Sequence, residues 1–366
     1  IFCDFNAGAP PLEDVLAEFV AFERRCPANP ASAHGAGRKA RAVLEQARQR
    51  IAGAFGLAGA DVIFTSGGTE ACNLAVRGLG DPALPVQLAA VEHPAVLEPA
   101  EQRGCERWAV DGDGCAVPTA PARAVGLVCL VHAQGELGTL QPVDTAIELA
   151  ADLGVPVFVD AAQTLGRIDV VPLVQRGAVL ALSPHKAGGL RGHGVLLGAE
   201  LTTRLRPLLR GGGQEFGLRP GTASPALAAA NALAIERALV ECATRSATMA
   251  RQRAAFLDAL RTAGVAHRVL TPLANSVPNT VMVHFAAFDG RSMLPALDLA
   301  GVEASHGSAC SSGAPTPPPV LRAIGLDERT ARACVRFSFG ACGDEASARE
   351  AAVRTAAVVR RAEQKN

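Results

Sequence analysis

The sequence predicts an α/β protein with a largely parallel sheet, joined to a smaller α+β part. Between residues 62 and 198 short runs rich in Val, Ile and Leu alternate with helix-patterned segments, the order in which crossover helices cover a parallel sheet. After residue 264 strand and helix signals follow one another in a different rhythm. At 366 residues the chain is also longer than a single core usually grows, which predicts two lobes of unequal size.

The opening FCDFNAGAPP reads as a short extended piece with a turn at Ala9–Pro11, and EDVLAEFVAFERR as an amphipathic helix. Loop residues Asn29–His34 precede a helix from about Gly37 to Phe55, because Ala40, Val43, Leu44, Ala47 and Ile51 recur at helical spacing. Next, Val62–Thr65 reads as a strand feeding a small-residue turn, Ser66–Gly68, and then a helix whose first turn holds Thr69 and Glu70. Glycines at such a turn free backbone N–H groups, and a helix start favours negative charge, so this is a prospective phosphate cradle. It has neither the Walker spacing nor GxGxxG.

Strands are predicted at Val86–Val91, Ala124–His132, Val155–Asp160, Val179–Ser183 and Gly194–Gly198, with helices at Ala95–Arg103 and Val143–Leu153. A loop around GGGQEFGLRPGT leads into a helical stretch, Pro225–Gly264, long enough to bridge lobes. Beyond it lie a strand, Thr280–Phe285, a helix through RSMLPALDLAG, a Gly/Ser-rich loop around Cys310, a helix through VLRAIG, the strand CVRFSFG and a closing helix from Asp344. The first dozen residues are expected to run against this second lobe or along the cleft.

Composition narrows the function classes. Thirty-five Lys and Arg balance thirty-five Asp and Glu, and no long run of one sign occurs, which argues against nucleic acid or an anionic membrane surface as the main partner. No apolar run reaches bilayer length, and IFCDFNAGAPPLEDV lacks the parts of a secretion signal. The reading is a soluble, cytoplasmic protein; since the sequence starts at Ile1, a few leading residues are expected before it. Ten cysteines occur with no CxxC pair, so no zinc or dithiol motif is signalled, and most should be small buried hydrophobes. Cys310 differs, because ASHGSACSSGAPTPPP predicts an exposed loop.

Ligands of parallel sheets gather where strands end. Polar residues stand at those ends: His93, then Gln134 and Glu136, then Asp160, then Ser183, His185 and Lys186. Lys186 is one of only three lysines, with Lys39 and Lys365, in a chain rich in arginine. A lysine can lose its proton and form an imine, whereas arginine stays charged, so a lysine in this setting is a candidate Schiff-base nucleophile as well as an ordinary loop residue.

The segments TSGGTEACNLA, EHPAVLEP, VDAAQTLG, SPHK, GGGQEFGLRPGT, GSACSSG and VRFSFG occur in the order and rough spacing that resemble the cysteine desulfurases, pyridoxal-phosphate enzymes of the class V aminotransferase group. The resemblance runs from about Asp4 to about Gly340. It implies the fold type I, PLP-dependent transferase-like architecture: a large domain, 12–240, on a mostly parallel seven-stranded sheet flanked by helices, and a small α+β domain formed by 1–11 and 241–366. It implies that Lys186 holds pyridoxal 5'-phosphate and later moves the substrate Cα proton, that Asp160 pairs with the ring nitrogen, that His93 stacks on the ring and transfers protons, and that Gln163 reaches the phenolic oxygen. Gly68, Thr69, Ser183 and His185 would hold the phosphate, with Thr222 completing that cradle from the partner subunit of a homodimer. Arg336 would grip the substrate carboxylate through its two-pronged donor set, and Asn29 would lie near the substrate. Cys310 would take sulfur from L-cysteine as a persulfide, leaving L-alanine, for delivery to an acceptor protein in iron–sulfur cluster or thio-cofactor synthesis. No metal is implied.

The chain also departs from the family pattern. QGELG stands where NNEIG is usual, which puts Gly135 in place of an asparagine and leaves Gln134 or water to compensate. Gly8 and Ala9 replace two threonines, Phe216 an arginine and Pro184 a glycine. A selenocysteine lyase, a C–S lyase or an aminotransferase of the same cofactor class would share Lys186, Asp160 and His93 without needing Cys310. A catalytically weakened sulfur-transfer scaffold is the alternative outside enzymes.

Overall fold

A computed structural model describes residues 1–288, 290–307 and 317–364. Helices α1 (Glu13–Arg25) and α2 (Gly35–Phe55) precede a seven-stranded sheet built from β1 (Val62–Thr65), β2 (Val86–Ala89), β3 (Cys105–Trp108), β4 (Leu127–Val131), β5 (Val157–Asp160), β6 (Val179–Leu182) and β7 (Gly194–Leu197). Its order is β1-β7-β6-β5-β4-β2-β3, and β7 alone runs against the others. Helices α3 (Gly68–Gly78), α4 (Pro94–Arg103), α5 (Val143–Leu153) and α6 (Val171–Gln175) lie between the strands, and α7 (Leu201–Arg204) follows the last of them. Every residue of β1, β2, β4, β5, β6 and β7 is buried. Their continuous Val/Ile/Leu runs are what a sheet covered on both faces needs. One face packs under α2, α5 and α8 (Pro225–Val240), the other under α3 and α4.

A second sheet, antiparallel and in the order β10-β9-β8, comprises β8 (Arg268–Val269), β9 (Thr280–His284) and β10 (Cys334–Ser338). Its core gathers Phe256, Phe285, Phe337 and Val281 with side chains of α9 (Cys242–Ala263), α10 (Gly290–Leu299) and α13 (Glu345–Glu363). Two short helices, α11 (Pro319–Ala323) and α12 (Glu328–Arg332), lie before β10. The N-terminal residues reach this sheet by a bridge from Asp4 to Ser338, and a second bridge pairs Phe2 with Glu303.

The helical stretch predicted as continuous over Pro225–Gly264 is two helices, broken at Glu241. The Glu241 carboxylate accepts from Arg237 at 2.8 Å and from Arg245 at 3.0 Å, so one side chain holds the last turn of α8 to the first of α9. Strand β3 went unpredicted because CERW carries only one fully buried side chain, as suits a sheet edge.

The loop between β7 and α8 is tied to the sheet by a buried ion pair. Arg48 and Glu215, with side chains 2% and 3% exposed, form a two-pronged pair at 2.7 and 2.8 Å. Arg48 also donates to the Val62 carbonyl at 2.6 Å, and Glu215 accepts from the Phe64 amide at 2.9 Å. Its guanidinium carbon lies 4.6 Å from the Phe64 ring centroid and 5.2 Å from that of Phe216. Glu215 and Phe216 both take left-handed backbone (φ 49° and 60°), a strain that this pair has to hold in place. Glu215→Ala strands a buried guanidinium, so urea denaturation is expected to show a loss of about 3–5 kcal/mol. The double variant Arg48→Met/Glu215→Leu is expected to recover most of it; a Glu215→Ala protein as stable as its parent would contradict the pair's role.

Candidate active site

The carboxyl ends of β2, β4, β5 and β6 open into one cavity of about 570 Å³, lined among others by Gly68, Thr69, His93, Asp160, Gln163, Ser183, His185, Lys186 and Arg336. Register explains the convergence. Val131 pairs with Asp160 and Asp160 with Ala181, so β4, β5 and β6 end level and the residues after them reach the same space.

Lys186 closes a single helical turn, Pro184–Lys186, directly after β6 and Ser183. It is half-buried, and desolvation is the largest influence on its amine, lowering its pKa. Arg167 and Arg336 push the same way, while Asp160 opposes them. A larger fraction of the amine is therefore free to attack a carbonyl than in a surface lysine. Asp160 ends β5, and its Oδ1 accepts from the Ala162 amide at 2.9 Å, which fixes the carboxylate at the cavity wall. His93 caps α4: its Nδ1 accepts from the Ala95 amide at 3.1 Å, so the neutral ring carries its proton on Nε2. Burial lowers the His93 pKa, with Asp160 opposing.

The turn Ser66–Gly68 leads into α3 at the edge of the cavity. Gly67 caps α3 without a side-chain hydrogen bond, leaving the first-turn amides open to an anion. A Cβ on Gly68 would stand 2.1 Å from Ser183 Oγ, so any larger residue at this helix start would force the Ser183 hydroxyl to turn away. His185 is pushed down to about 4 by burial and by Lys186 and Arg191, so it offers a neutral ring there.

Arg336, on β10, brings the second sheet to the cavity. Its Nη2 pairs with Asp4 at 2.7 Å and its Nη1 donates to the Gly135 carbonyl at 3.0 Å, while Nε has no partner among the described residues. A substrate carboxylate would meet a guanidinium already held by Asp4. Gln163 Nε2 donates to the Asn6 carbonyl at 3.1 Å and its Oε1 accepts from Arg167 at 2.7 Å, which leaves one Nε2 hydrogen for a ligand. Gln134 is held locally: its Oε1 accepts the Glu136 and Leu137 amides at 2.8 and 2.7 Å, and its Nε2 bonds Glu136.

Two residues expected near the site do not line this cavity. Asn29 is exposed and turned into its own loop, where its Oδ1 accepts from the Ala31 amide at 2.8 Å, the local bond that asparagine favours before a turn. Thr222 is exposed on the loop that Glu215 anchors. Cys310 lies outside the described residues; Gly307 on one side of it and Pro317–Pro319 on the other line the cavity. Of the other cysteines Cys3, Cys72, Cys129 and Cys334 are buried, Cys26, Cys105, Cys115 and Cys242 half-buried, and Cys342 is exposed. Sequence reasoning missed Asn6, Asp4 and Arg167, whose extended or loop settings gave no periodic signal. It also missed Glu92, although Glu92 stands beside His93 in EHPAV.

An amine of lowered pKa, a fixed carboxylate, a neutral imidazole and a helix start open to an anion face the same cavity. The chain matches the aminotransferase class-V family model over residues 1–347, and it belongs to that family. A cysteine desulfurase IscS of Dictyoglomus turgidum is 34% identical over 353 residues, which cover 93% of this chain and 89% of that protein. An IscS-like cysteine desulfurase of Mycobacterium tuberculosis is 32% identical over 372 residues, covering 93% and 92%. Among solved structures a NifS-like protein superposes with a TM-score of 0.85 at 27% identity, covering 100% of this chain and 98% of that one. SspA in complex with cysteine does so at 0.77 and 28%, covering 93% and 98%. Relatives of this kind imply dependence on pyridoxal phosphate, and the Gly68–Ser183 approach and the partly desolvated Lys186 fit that group.

Behind the cradle, His193 is 6% exposed, lies 4.9 Å centroid to centroid from Phe64, and has no hydrogen-bond partner for either ring nitrogen among the described residues. Burial, with Arg219 and Arg48 nearby, pushes it from 6.5 down to about 4. The unfolded chain therefore binds the extra proton first, and stability is lost as pH falls from 6.5 toward 4. Urea titrations are expected to show His193→Leu gaining on the parent by up to about 1.4 kcal/mol per pH unit in that window; identical pH slopes would contradict a buried neutral His193.

Proposed function

We propose that this protein is a pyridoxal-phosphate-dependent cysteine desulfurase that takes sulfur from L-cysteine, leaves L-alanine, and carries the sulfur on Cys310 for transfer to an acceptor protein. The observation that carries the reading is the convergence of Lys186, Asp160, His93 and Arg336 on one cavity. Family membership and the likeness to named desulfurases support it.

Pyridoxal phosphate, when bound, supplies an electron sink for the charge left at the substrate Cα. Lys186 would hold the cofactor, and its amine, lowered in pKa, would take and return the Cα proton. Asp160 would keep a proton on the ring nitrogen, since an adjacent carboxylate favours the charged form. His93, with Nδ1 committed to the Ala95 amide, would exchange protons through Nε2. Gly68, Thr69, Ser183 and His185 would bind the phosphate, and Gln163 the phenolic oxygen. Arg336 would orient the substrate carboxylate, sharing its guanidinium with Asp4.

In this reading the chain works as a homodimer, Thr222 of one subunit completing the phosphate cradle of the other. It divides into a large cofactor-binding domain, 12–240, and a small domain formed by 1–11 and 241–366. Asn29, pointing into its own loop, would serve no substrate within its own subunit. The same cavity suits a C–S or selenocysteine lyase, which would share Lys186, Asp160 and His93 without needing Cys310.

Cys310→Ser separates the readings, because a hydroxyl is far less nucleophilic toward sulfur at neutral pH. The variant is expected to keep the bound cofactor's absorbance while cysteine-dependent alanine formation falls by at least about a hundredfold, in line with loss of a covalent nucleophile. Mass spectrometry of the parent after brief exposure to cysteine is expected to place one added sulfur on Cys310. Parental rates of sulfide and alanine release from Cys310→Ser would make the chain a lyase without a protein-bound sulfur.

A further inference from the structure

We propose that Glu92 is a positioning residue for His93, its carboxyl bridging the open end between β2 and β4 and so fixing where the imidazole stands relative to Asp160. The proposal deepens the functional reading above and rests on it for the role of His93.

Strand β2 pairs with β4 only at Val86–Leu127 and Gln87–Val128, whereas β4 stays paired with β5 as far as Val131–Asp160. Past Gln87 these two strands are no longer laddered; β2 stays paired with β3 as far as Ala89–Trp108, and the segment that delivers His93 leaves the sheet after Ala89. Glu92 closes that gap. Its Oε1 accepts from the Val131 amide at 2.6 Å, supplying a side-chain acceptor beyond the last ladder pair. Val131 is the register partner of Asp160, and His132 donates its amide to the Asp160 carbonyl at 2.9 Å. One carboxyl thus connects the residue before His93 to the strand beside Asp160, two groups that line the same cavity.

The same carboxyl lines the cavity, is 5% exposed, and leaves Oε2 without a partner among the described residues. The titratable groups that face it are Asp160 from β5, Cys72 from α3 and Cys129 from β4. Burial raises both thiols, so Asp160 supplies the only charge among the three. Burial first, and Asp160 second, push Glu92 up to about 8 against the opposing Val131 bond, so at pH 7 it is mainly the neutral acid. A neutral bridge adds no second negative charge beside Asp160. What the site needs from Glu92 is then an acceptor at the right reach, and a glutamine can supply it.

The experiment compares Glu92→Gln with Glu92→Ala. Glu92→Gln is expected to keep kcat within about twofold of the parent, and Glu92→Ala to lower kcat about tenfold to a hundredfold with little change in KM, as a displaced catalytic group does. Two readouts do not depend on turnover. In cofactor-free protein at pH 7, infrared spectra are expected to contain a protonated-carboxyl band that Glu92→Gln removes. The His93 imidazole resonance, assigned with His93→Gln, is expected to keep its titration midpoint in Glu92→Gln and to move in Glu92→Ala. If Glu92→Ala does not fold, Glu92→Asp, which keeps the acid but shortens the bridge, is expected to show the same displacement. Equal loss in Glu92→Gln and Glu92→Ala, or a parental His93 resonance in Glu92→Ala, overturns the proposal. Absence of cysteine turnover in the parent itself would sink the functional reading alone, since the infrared and resonance readouts still decide Glu92.

Discussion

The site depends on holding an amine partly out of water where three parallel strands end. Lys186 loses hydration on entering the cavity, and two guanidiniums, Arg167 and Arg336, bear on it while Asp160 pulls the other way. In bulk water such charges would interact weakly; in a cavity of lower dielectric their balance sets the protonation of the amine. The level ending of β4, β5 and β6 keeps those distances fixed, because each strand's last residue is set by the register of its neighbour.

Around the amine, structure has used neutral groups where further charge would have cost most. His93 and His185 are lowered by burial and Glu92 is raised, so three titratable side chains next to Lys186 and Asp160 stand mainly uncharged near neutral pH. The two nearby guanidiniums are held in different ways. Asp4 holds Arg336, while Arg167 is enclosed by Asn6, Gln163 and the Phe5 carbonyl. Asn6 is the hinge of this network: its Nδ2 donates to the Gly135 carbonyl and to Thr280, and its Oδ1 accepts from Arg167 and Asn279. Asp4, Phe5 and Asn6, near the start of the sequence, therefore connect the second sheet to the cavity.

Much of this was legible in the sequence, for physical reasons. Buried parallel strands must be apolar throughout, so VIFT, LVCLV, VFVD and VLAL announced themselves, and the polar residues that follow them marked the cavity. A lone lysine among arginines at a strand end drew the eye to Lys186. The reversed direction of β7 was not legible, since a four-residue apolar run carries no sign of its sense. Neither was the break at Glu241, which neither glycine nor proline marks. Asn29 misled because the resemblance gives a position in the chain, and the fold turned its side chain into a local bond. Asp4 and Arg167 stayed hidden because their meaning arises only from partners far away in the chain, Arg336 and Asn6.

The central claim is that Lys186 is the amine that captures the cofactor, and it is tested by reducing the pyridoxal-phosphate-loaded protein with borohydride and mapping the stable adduct by peptide mass spectrometry. The adduct is expected on Lys186 alone, with none in Lys186→Arg, whose side chain cannot form the imine. An adduct on Lys39 or Lys365, or equal labelling of the Lys186→Arg protein, would contradict it.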